Sequence, residues 1–467
     1  MKKFRIDAIL FIIIITLLGI ANLFNFNKPT VSKLENRALK QKPQFSLAEL
    51  FSGGYFKNFE EYYSDTFVLR DDLVKVNRDL QHAMAFLGPD ISLVTAYENI
   101  QVPKGTGSEV ENDPIGEEKP EVTAPVTVQP PIDSTSTPTQ TESETAAPNT
   151  EEEVNKDFGD GQNVGYWLVV DGKAVQLFKF NKESFEYYSH IVNKFSEKLG
   201  SDVKIYSMIP PTAGEFLQLK KYKGITDSQN DALGFLESKL DRSISSVNVF
   251  DALNEHKDEY IYFRTDHHWT ALGAYYAYAS FMKTMGKQPV ALEQYEAINL
   301  GDFLGSSYTK TLDKSLEKNP DNVVAYKPFT DNEYLMYYGN NEEKADVIDM
   351  KYADEINNKY LAFISSGGAT WSVIKTDINN GRKLMVVKDS FGNALVPFLL
   401  PHYEEIYIVD PRFYSIEATG QNIVQFIEDK EINEVLFVIY MEDVNWHKFM
   451  DSVEKLLGSE NLTEPEN

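Results

Sequence analysis

No cysteine occurs among the 467 residues. A disulfide framework, thiolate metal ligation, iron–sulfur chemistry and a cysteine nucleophile are therefore excluded, which leaves Ser, Thr, Lys, Asp, Glu or His for any covalent catalysis. Positive charge is also scarce: 45 Lys and Arg face 71 Asp and Glu, for a formal net charge of −26. Because nucleic-acid affinity comes largely from basic side chains that displace counterions, no nucleic-acid partner is expected. Histidine is limited to seven positions, His82, His190, His256, His267, His268, His402 and His447. Apolar residues are not lacking. At 42% of the chain, with 13% aromatic, they suffice for the core of one large domain or two ordinary ones.

One long apolar run is present, Ile6 to Phe24, interrupted only by Asp7, Thr16 and Asn22 and preceded by Lys2, Lys3 and Arg5. At about 1.5 Å per residue its nineteen residues span roughly 28 Å, close to the hydrocarbon thickness of a bilayer. The basic flank keeps residues 1–5 in the cytoplasm and sends the rest outside. A single-pass membrane protein with an extracellular body is expected. A cleaved signal peptide is the alternative, although small residues in an A-x-A arrangement are missing before Asn25.

Residues 25–100 read as a helical segment, with Phe56, Phe59, Tyr63, Phe67 and Leu69, Leu73, Val76, Leu80, Met84, Leu87 recurring at steps of mostly three and four. The stripe is expected to pack on the larger domain, a coiled-coil partner being the other option. Residues 101–160 carry eight prolines, one aromatic, and 14 acidic against 3 basic residues. Such a stretch buries too little apolar surface to offset its chain entropy, so it reads as a disordered linker or loop. It supplies −11 of the net charge, which leaves the remainder only moderately acidic. Residues 161–457 alternate strand-like runs (Tyr166–Val170, Val203–Ile209, Tyr260–Phe263, Leu384–Val387, Glu405–Val409, Val435–Tyr440) with helical stretches. That pattern predicts an α/β domain around a mostly parallel sheet, with sites at the carboxyl ends of its strands. Residues 458–467 read as a flexible tail.

Two junctions carry chemistry. In the first, Tyr260 to Phe263 is followed by Asp266-His267-His268-Trp269 and then by a helix-like run from Thr270. A carboxylate beside an imidazole in such a turn can orient the ring and stabilise the imidazolium. In the second, Leu384–Val387 runs into Asp389-Ser390, with a helix starting near Asn393. A serine at that corner exposes its hydroxyl beside free backbone N–H groups, as acyl transfer requires. Ser390 can equally cap its helix. Asp-His-His also offers three metal ligands, as in the DHH phosphoesterases, but the additional Asp and His motifs of those sites are missing and no metal is expected.

T-D-H-H-W-T with A-L-G-A-Y, V-K-D-S-F-G, I-Y-I-V-D-P-R (Ile406 to Arg412), and the early E-N-R-A-L, F-K-N-F-E-E-Y-Y-S-D and R-D-D-L together resemble the DHHW family of Gram-positive cell-envelope proteins. That family is similar to the alginate O-acetylation proteins of the SGNH hydrolase-like superfamily. The resemblance implies a three-layer sandwich with a permuted motif order and, without any cofactor, O-acetyl transfer to an exopolysaccharide or wall glycan. The acetyl group would be delivered by an MBOAT-type membrane acyltransferase. It assigns the family's Asp-x-His pair to Asp266 and His268 and its serine to Ser390, with His267 flanking. Around this triad, Gly392, Asn393, Gly305 and Arg412 are expected to help bind the oxyanion or substrate, and Trp269 and Tyr308 to stack on sugars, with Trp269 equally suited to anchor its helix in the core. The same triad would serve a carbohydrate acetylesterase, and a non-catalytic glycan-binding scaffold would use the same cleft.

Overall fold

The computed structural model describes residues 16–76 and 162–458, apart from short internal gaps of which 218–225 is the longest. The expected linker 101–160, residues 1–15, residues 77–100 of the helical segment and residues 459–467 of the tail lie outside the described residues.

In the N-terminal piece a two-stranded hairpin, β1 (Val31–Ser32) and β2 (Arg37–Ala38), precedes helix α1 (Gly54–Asp65). Lys28 Nζ ties the piece together by donating to Asn22 Oδ1 at 2.9 Å and to the carbonyl of Thr66 at 3.2 Å. Helix α1 buries none of its residues, so Phe56, Phe59 and Tyr63 of the expected packing stripe remain exposed. Among the described residues no helix is long and apolar enough to cross a membrane.

The larger part is a mixed α/β fold. Three short antiparallel strands come first: β3 (Gln162–Val164), β4 (Trp167–Val170) and β5 (Lys173–Gln176). Helix α2 (Lys182–Leu199) follows, capped by Asn181, whose Oδ1 accepts the N–H groups of Glu183 and Ser184. Its apolar residues Phe185, Tyr188, Ile191, Val192 and Phe195 recur at helical spacing and are all buried.

The main sheet has eight strands: β6 (Lys204–Met208), β7 (Ile244–Ser246), β10 (Asn332–Tyr338), β11 (Asn341–Ala345), β12 (Trp371–Thr376), β13 (Lys383–Lys388), β14 (Glu405–Val409) and β15 (Glu434–Val438). Their spatial order is β11-β10-β12-β14-β13-β15-β6-β7. Strands β14, β13, β15, β6 and β7 form a parallel block, to which β12, β10 and β11 add in antiparallel steps. The sheet is therefore more mixed than the sequence suggests. A separate antiparallel pair, β8 (Glu296–Phe303) and β9 (Asp321–Lys327), lies outside it.

Two neighbours in β6 define the layers. Tyr206 packs against Phe281 of helix α3 (Ala271–Thr284), with ring centroids 5.0 Å apart, while the Ser207 hydroxyl meets Tyr188 of α2 at 2.7 Å. Successive strand residues face opposite sides, so α2 and α3 cover opposite faces of the sheet and the domain is a three-layer sandwich. Phe437, paired with Ser207 in register, shares the α2 side and packs edge-on against Phe195 at 5.0 Å.

Two sequence expectations change here. Of the expected run Tyr166–Val170, Trp167–Val170 does form a strand, but in the small antiparallel sheet, because its hairpin partner β5 follows after only two residues. Tyr260–Phe263 joins no sheet. It folds back on its own loop through a single Tyr262–Trp269 bridge, with the Thr270 N–H donating to the carbonyl of Ile261 at 2.9 Å.

Truncating the buried Phe195 ring should cost about 3–5 kcal/mol by leaving a void between α2 and the sheet. Urea unfolding of Phe195→Ala checks this.

Candidate active site

The parallel block aligns the carboxyl ends of β13, β14, β15 and β6, so Asp389-Ser390, Asp410 to Arg412, Ile439-Tyr440 and Ile209 to Thr212 all lie along one edge. Ser390 turns the corner between β13 and the short helix α5 (Gly392–Leu395). Asp389 fixes that corner: its backbone N–H donates to the carbonyl of Val438, its Oδ1 accepts the Phe391 N–H at 2.8 Å, and its Oδ2 accepts the Tyr440 N–H. Burial pushes the Asp389 carboxyl up from its ordinary range, against these two N–H donors.

Opposite stands the loop 260–270. Asp266 Oδ1 accepts the His268 backbone N–H at 2.9 Å, an Asx turn, and the same oxygen meets His268 Nδ1 at 2.5 Å. Its Oδ2 accepts the Ser306 N–H at 2.7 Å. A carboxylate can only accept, so His268 carries its proton on Nδ1 and presents Nε2 as an acceptor, 2.7 Å from Ser390 Oγ. Ser390, His268 and Asp266 thus form one hydrogen-bonded line, its His268–Ser390 link joining residues 122 positions apart. Burial alone would raise the Asp266 carboxyl, but the His268 charge and hydrogen bond, His267 and the Ser306 N–H hold it far below the usual carboxylate range. It is therefore a fixed negative charge beneath the imidazole.

The neighbouring chain is shaped to bring these donors in. Gly305 has no side chain to spare, since a Cβ there would lie 2.3 Å from Asp266 Cβ. It precedes helix α4 (Ser306–Thr311). Below, the fully buried Asp321 of β9 accepts the N–H groups of Arg264 (2.8 Å) and Thr265 (2.6 Å), the Thr265 hydroxyl (2.5 Å) and the Tyr260 hydroxyl. Burial raises its carboxyl pKa while these donors oppose the shift. Strand β5 closes the back of the loop, with the Ala174 N–H donating to the carbonyl of Arg264 at 2.8 Å.

Of the expected binding residues, several have other tasks. Trp269 is fully buried. Its Nε1–H donates to the carbonyl of Phe391 at 3.1 Å and its ring meets Phe391, so it fastens the histidine loop to the serine loop and presents no face to a sugar. Tyr308 packs its ring on the small cluster of Trp167, Val169, Ala174 and Leu316. The Gly392 N–H is engaged by the Asp389 carbonyl at 3.3 Å, and a Cβ at Gly392 would lie 2.7 Å from Lys388 Cβ. Asn393 Oδ1 accepts the buried Lys388 ammonium at 2.5 Å. Gly305 contributes its close approach to Asp266, and its own N–H donates to Thr265 Oγ1. Arg412 grips Asp410 through Nε (2.9 Å) and Nη2 (2.6 Å). Among the described residues the Ser390 N–H has no protein acceptor, which leaves it available to an oxyanion.

Sequence reasoning missed Tyr360. Its ring stacks on His268 at 3.8 Å and 10°, and its hydroxyl donates to the Ser390 carbonyl at 3.1 Å. A π-face over the imidazole stabilises its cationic form and keeps the ring in plane. Nothing local in the sequence marks it. His267 lies 3.8 Å from His268, centroid to centroid, and its Nδ1 meets Ser306 Oγ at 2.6 Å. Burial, then the His268 charge, push its pKa well down, so it sits neutral beside the triad. Asp266, His267 and His268 do bring three ligand-type atoms within 4.8 Å of one another. However, Asp266 and His268 Nδ1 are spent on each other and His267 Nδ1 is spent on Ser306.

Residues 139–409 match the model of the DHHW protein family. The chain belongs to the DHHW family. A DHHW family protein from Eubacterium siraeum DSM 15702 is 30% identical, covers 65% of this chain and 100% of its own, and superposes with a TM-score of 0.58. Bacillus cereus PatB1, solved with a sulfonyl adduct, is 22% identical over 61% of this chain and 96% of its own, with a TM-score of 0.50. The O-acetyltransferase domain of Pseudomonas putida AlgJ is 12% identical over 66% of this chain and 95% of its own, with a TM-score of 0.34. No curated protein matches the chain by sequence. The DHHW match takes in both Asp266-His267-His268-Trp269 and Ser390 and stops at the end of β14.

Two tests follow from this DHHW site. A methyl group at Gly305 must displace the Asp266 carboxylate, so Gly305→Ala should abolish the far-downfield proton resonance expected of His268 Nδ1–H in the parent protein. Lys388 is lowered from 10.5 to about 8 by burial, against the attraction of Asp410. Between those two values the unfolded chain holds a proton that the folded state has released, so this group adds stability as pH rises through the window. By denaturant titration at pH 7.5 and 10, Lys388→Met should remove a gain of up to about 3 kcal/mol relative to the parent chain.

Proposed function

We propose that this chain is a serine-dependent O-acyltransferase that places acetyl groups on hydroxyls of an extracellular polysaccharide or cell-wall glycan. The carrying observation is the unbroken line Ser390 Oγ, His268 Nε2, His268 Nδ1, Asp266 Oδ1 at 2.7 and 2.5 Å. Membership of the DHHW family, and the likeness of its motifs to the alginate O-acetylation proteins, support acetyl as the group and a glycan as the acceptor.

In the first half-reaction His268 Nε2 takes the Ser390 proton as Oγ bonds to the donor's acyl carbon, and the leaving group departs with that proton. In the second, a sugar hydroxyl gives its proton to Nε2, its oxygen bonds to the same carbonyl, and the Ser390 Oγ–C bond breaks, with the proton returning to Oγ. Asp266 and the Tyr360 ring stabilise the imidazolium in both halves. The Ser390 N–H is placed to steady the oxyanion, a donor whose loss typically costs about 2.7–4 kcal/mol. The apolar run 6–24 with its basic flank supports a membrane tether with the enzyme outside, where an MBOAT-type partner delivers the acetyl group.

Water competes with the sugar for the acyl-serine, so the test reads both products. The full chain is incubated with an activated acetyl ester, or with a sulfonyl fluoride as the serine-directed probe. Mass spectrometry should find an adduct on Ser390, about +42 Da for acetyl, that is lost in His268→Ala. Ser390→Ala should slow acetate release by about 10⁴-fold or more. An adduct at another residue, or unchanged turnover in Ser390→Ala, sinks the proposal. Acetate release without acetylated oligosaccharide from any acceptor assigns an esterase instead.

A further inference from the structure

The loop carries two adjacent histidines, and the triad uses only His268. The ring of His267 lies with its centroid 3.8 Å from that of His268, the two planes inclined by 36°. Both Nδ1 atoms are turned toward the same carboxylate oxygen, Asp266 Oδ1, at 2.5 Å for His268 and 3.9 Å for His267. Two stacked rings in this shared orientation direct both Nε2 atoms away from Asp266, and for His268 that direction leads to Ser390 Oγ. His267 also meets the rings of Phe391 and Tyr440, at 6.0 and 5.9 Å, so it stands against the serine corner.

The ring of His267 is held at one end and open at the other. Its Nδ1 meets Ser306 Oγ at 2.6 Å, and the Ser306 N–H is itself tied to Asp266 Oδ2 at 2.7 Å. A carboxylate 3.9 Å from Nδ1 favours the tautomer with its proton there, donated to Ser306 Oγ, which makes Nε2 a bare acceptor. Among the described residues Nε2 has no hydrogen-bond partner, yet it is not one of the buried unpaired atoms. With the side chain 15% exposed, this edge opens to solvent. Burial and the charges of His268 and Lys310 keep the ring neutral, and so able to accept.

We propose that His267 binds the acceptor, and that the paired Nε2 atoms of His268 and His267 recognise two adjacent hydroxyls of one sugar ring. His268 takes the proton of the hydroxyl that is acylated, while His267 accepts a hydrogen bond from its neighbour. The inference rests on the acyl-transfer reading and adds to it the acceptor class, a glycan unit with a free vicinal diol. No bond to His267 forms or breaks. An acceptor that lacks the second hydroxyl proton leaves a nitrogen of the site unpaired, which is how a polar site rejects an otherwise similar substrate.

Competition between two small acceptors tests it. The full chain, supplied with an activated acetyl ester, is offered an equimolar mixture of trans-1,2-cyclohexanediol and its monomethyl ether, and the acetylated products are separated by gas chromatography. Both draw on the same acyl-serine, so their ratio does not depend on how fast Ser390 is loaded. Per free hydroxyl, the diol should be favoured about threefold to tenfold, the effect of one hydrogen bond. His267→Phe, which keeps a ring against His268, should erase the preference, and His267→Gln, which offers a carbonyl oxygen, should restore part of it. Equal transfer to both probes by the parent chain, no transfer to either despite an acetyl adduct on Ser390, or a preference that survives in His267→Phe overturns this inference alone. Absence of any Ser390 adduct overturns the acyl-transfer reading, and this inference with it.

Discussion

A single buried carboxylate organises the site. Asp266 is 4% exposed, and a charge in that position is tolerable only if its lone pairs are met. Three N–H groups meet them, from His268 Nδ1, the His268 backbone and the Ser306 backbone. Each donor imposes a condition on the chain. The backbone bond fixes the D-x-H spacing, the Ser306 bond requires a residue without Cβ at position 305, and the ring bond sets the tautomer that turns Nε2 toward Ser390. Asp321 repeats the device one layer below by gathering Tyr260, Arg264 and Thr265, so two buried carboxylates in series hold the loop in its shape. The geometry of the candidate site and the local stability of this loop come from the same hydrogen bonds.

The second constraint is the seam between the two loops. Trp269 Nε1–H to the Phe391 carbonyl and His268 Nε2 to Ser390 Oγ join the same two loops, the first buried and the second partly exposed. Phe391 in turn stacks on Tyr440 at 4.1 Å, and the Tyr440 hydroxyl donates to Gln176 of β5. The His–Ser distance is therefore fixed by aromatic packing outside the triad, which gives pre-organisation without strain in the reacting groups.

How far the sequence could be read follows from where each signal lives. Glu405–Val409 was legible to the residue, because a strand buried in the middle of a sheet shows as a short, largely apolar run rich in β-branched residues. Strands β10 to β12 were not, because they expose polar residues such as Asn332, Glu333 and Lys375 and pair antiparallel at the margin of the sheet. Tyr260–Phe263 has strand composition, but its hydrogen-bond partners are its own loop, which composition does not reveal. At the site, Asp266, His268 and Ser390 were marked by residue types that chemistry requires at a strand or loop end. Tyr360 had no such mark: its stacking on His268 is a purely tertiary fact. Of the two readings open for Trp269, its full burial favours the core anchor, because an aromatic near a motif serves a core as readily as a ligand.

The charges behind Ser390 bear on why this corner is so polar inside. Lys388, fully buried at the end of β13, donates to Asn393 and lies in the field of Asp410, which in turn chelates Arg412. An apolar side chain at 388 would pack at less electrostatic cost, so stability alone does not explain a lysine there. Its aliphatic stem fills the space that a Cβ at Gly392 would need, and its ammonium anchors the first turn of α5 to the strand. Ser390 is thus held from three directions: by Asp389 through Phe391 and Tyr440, by Tyr360 at its carbonyl, and by Lys388 through Asn393. A serine fixed in this way can present Oγ to His268 without rotamer entropy to lose on reaction, which is the condition under which a hydroxyl of ordinary acidity becomes a useful nucleophile.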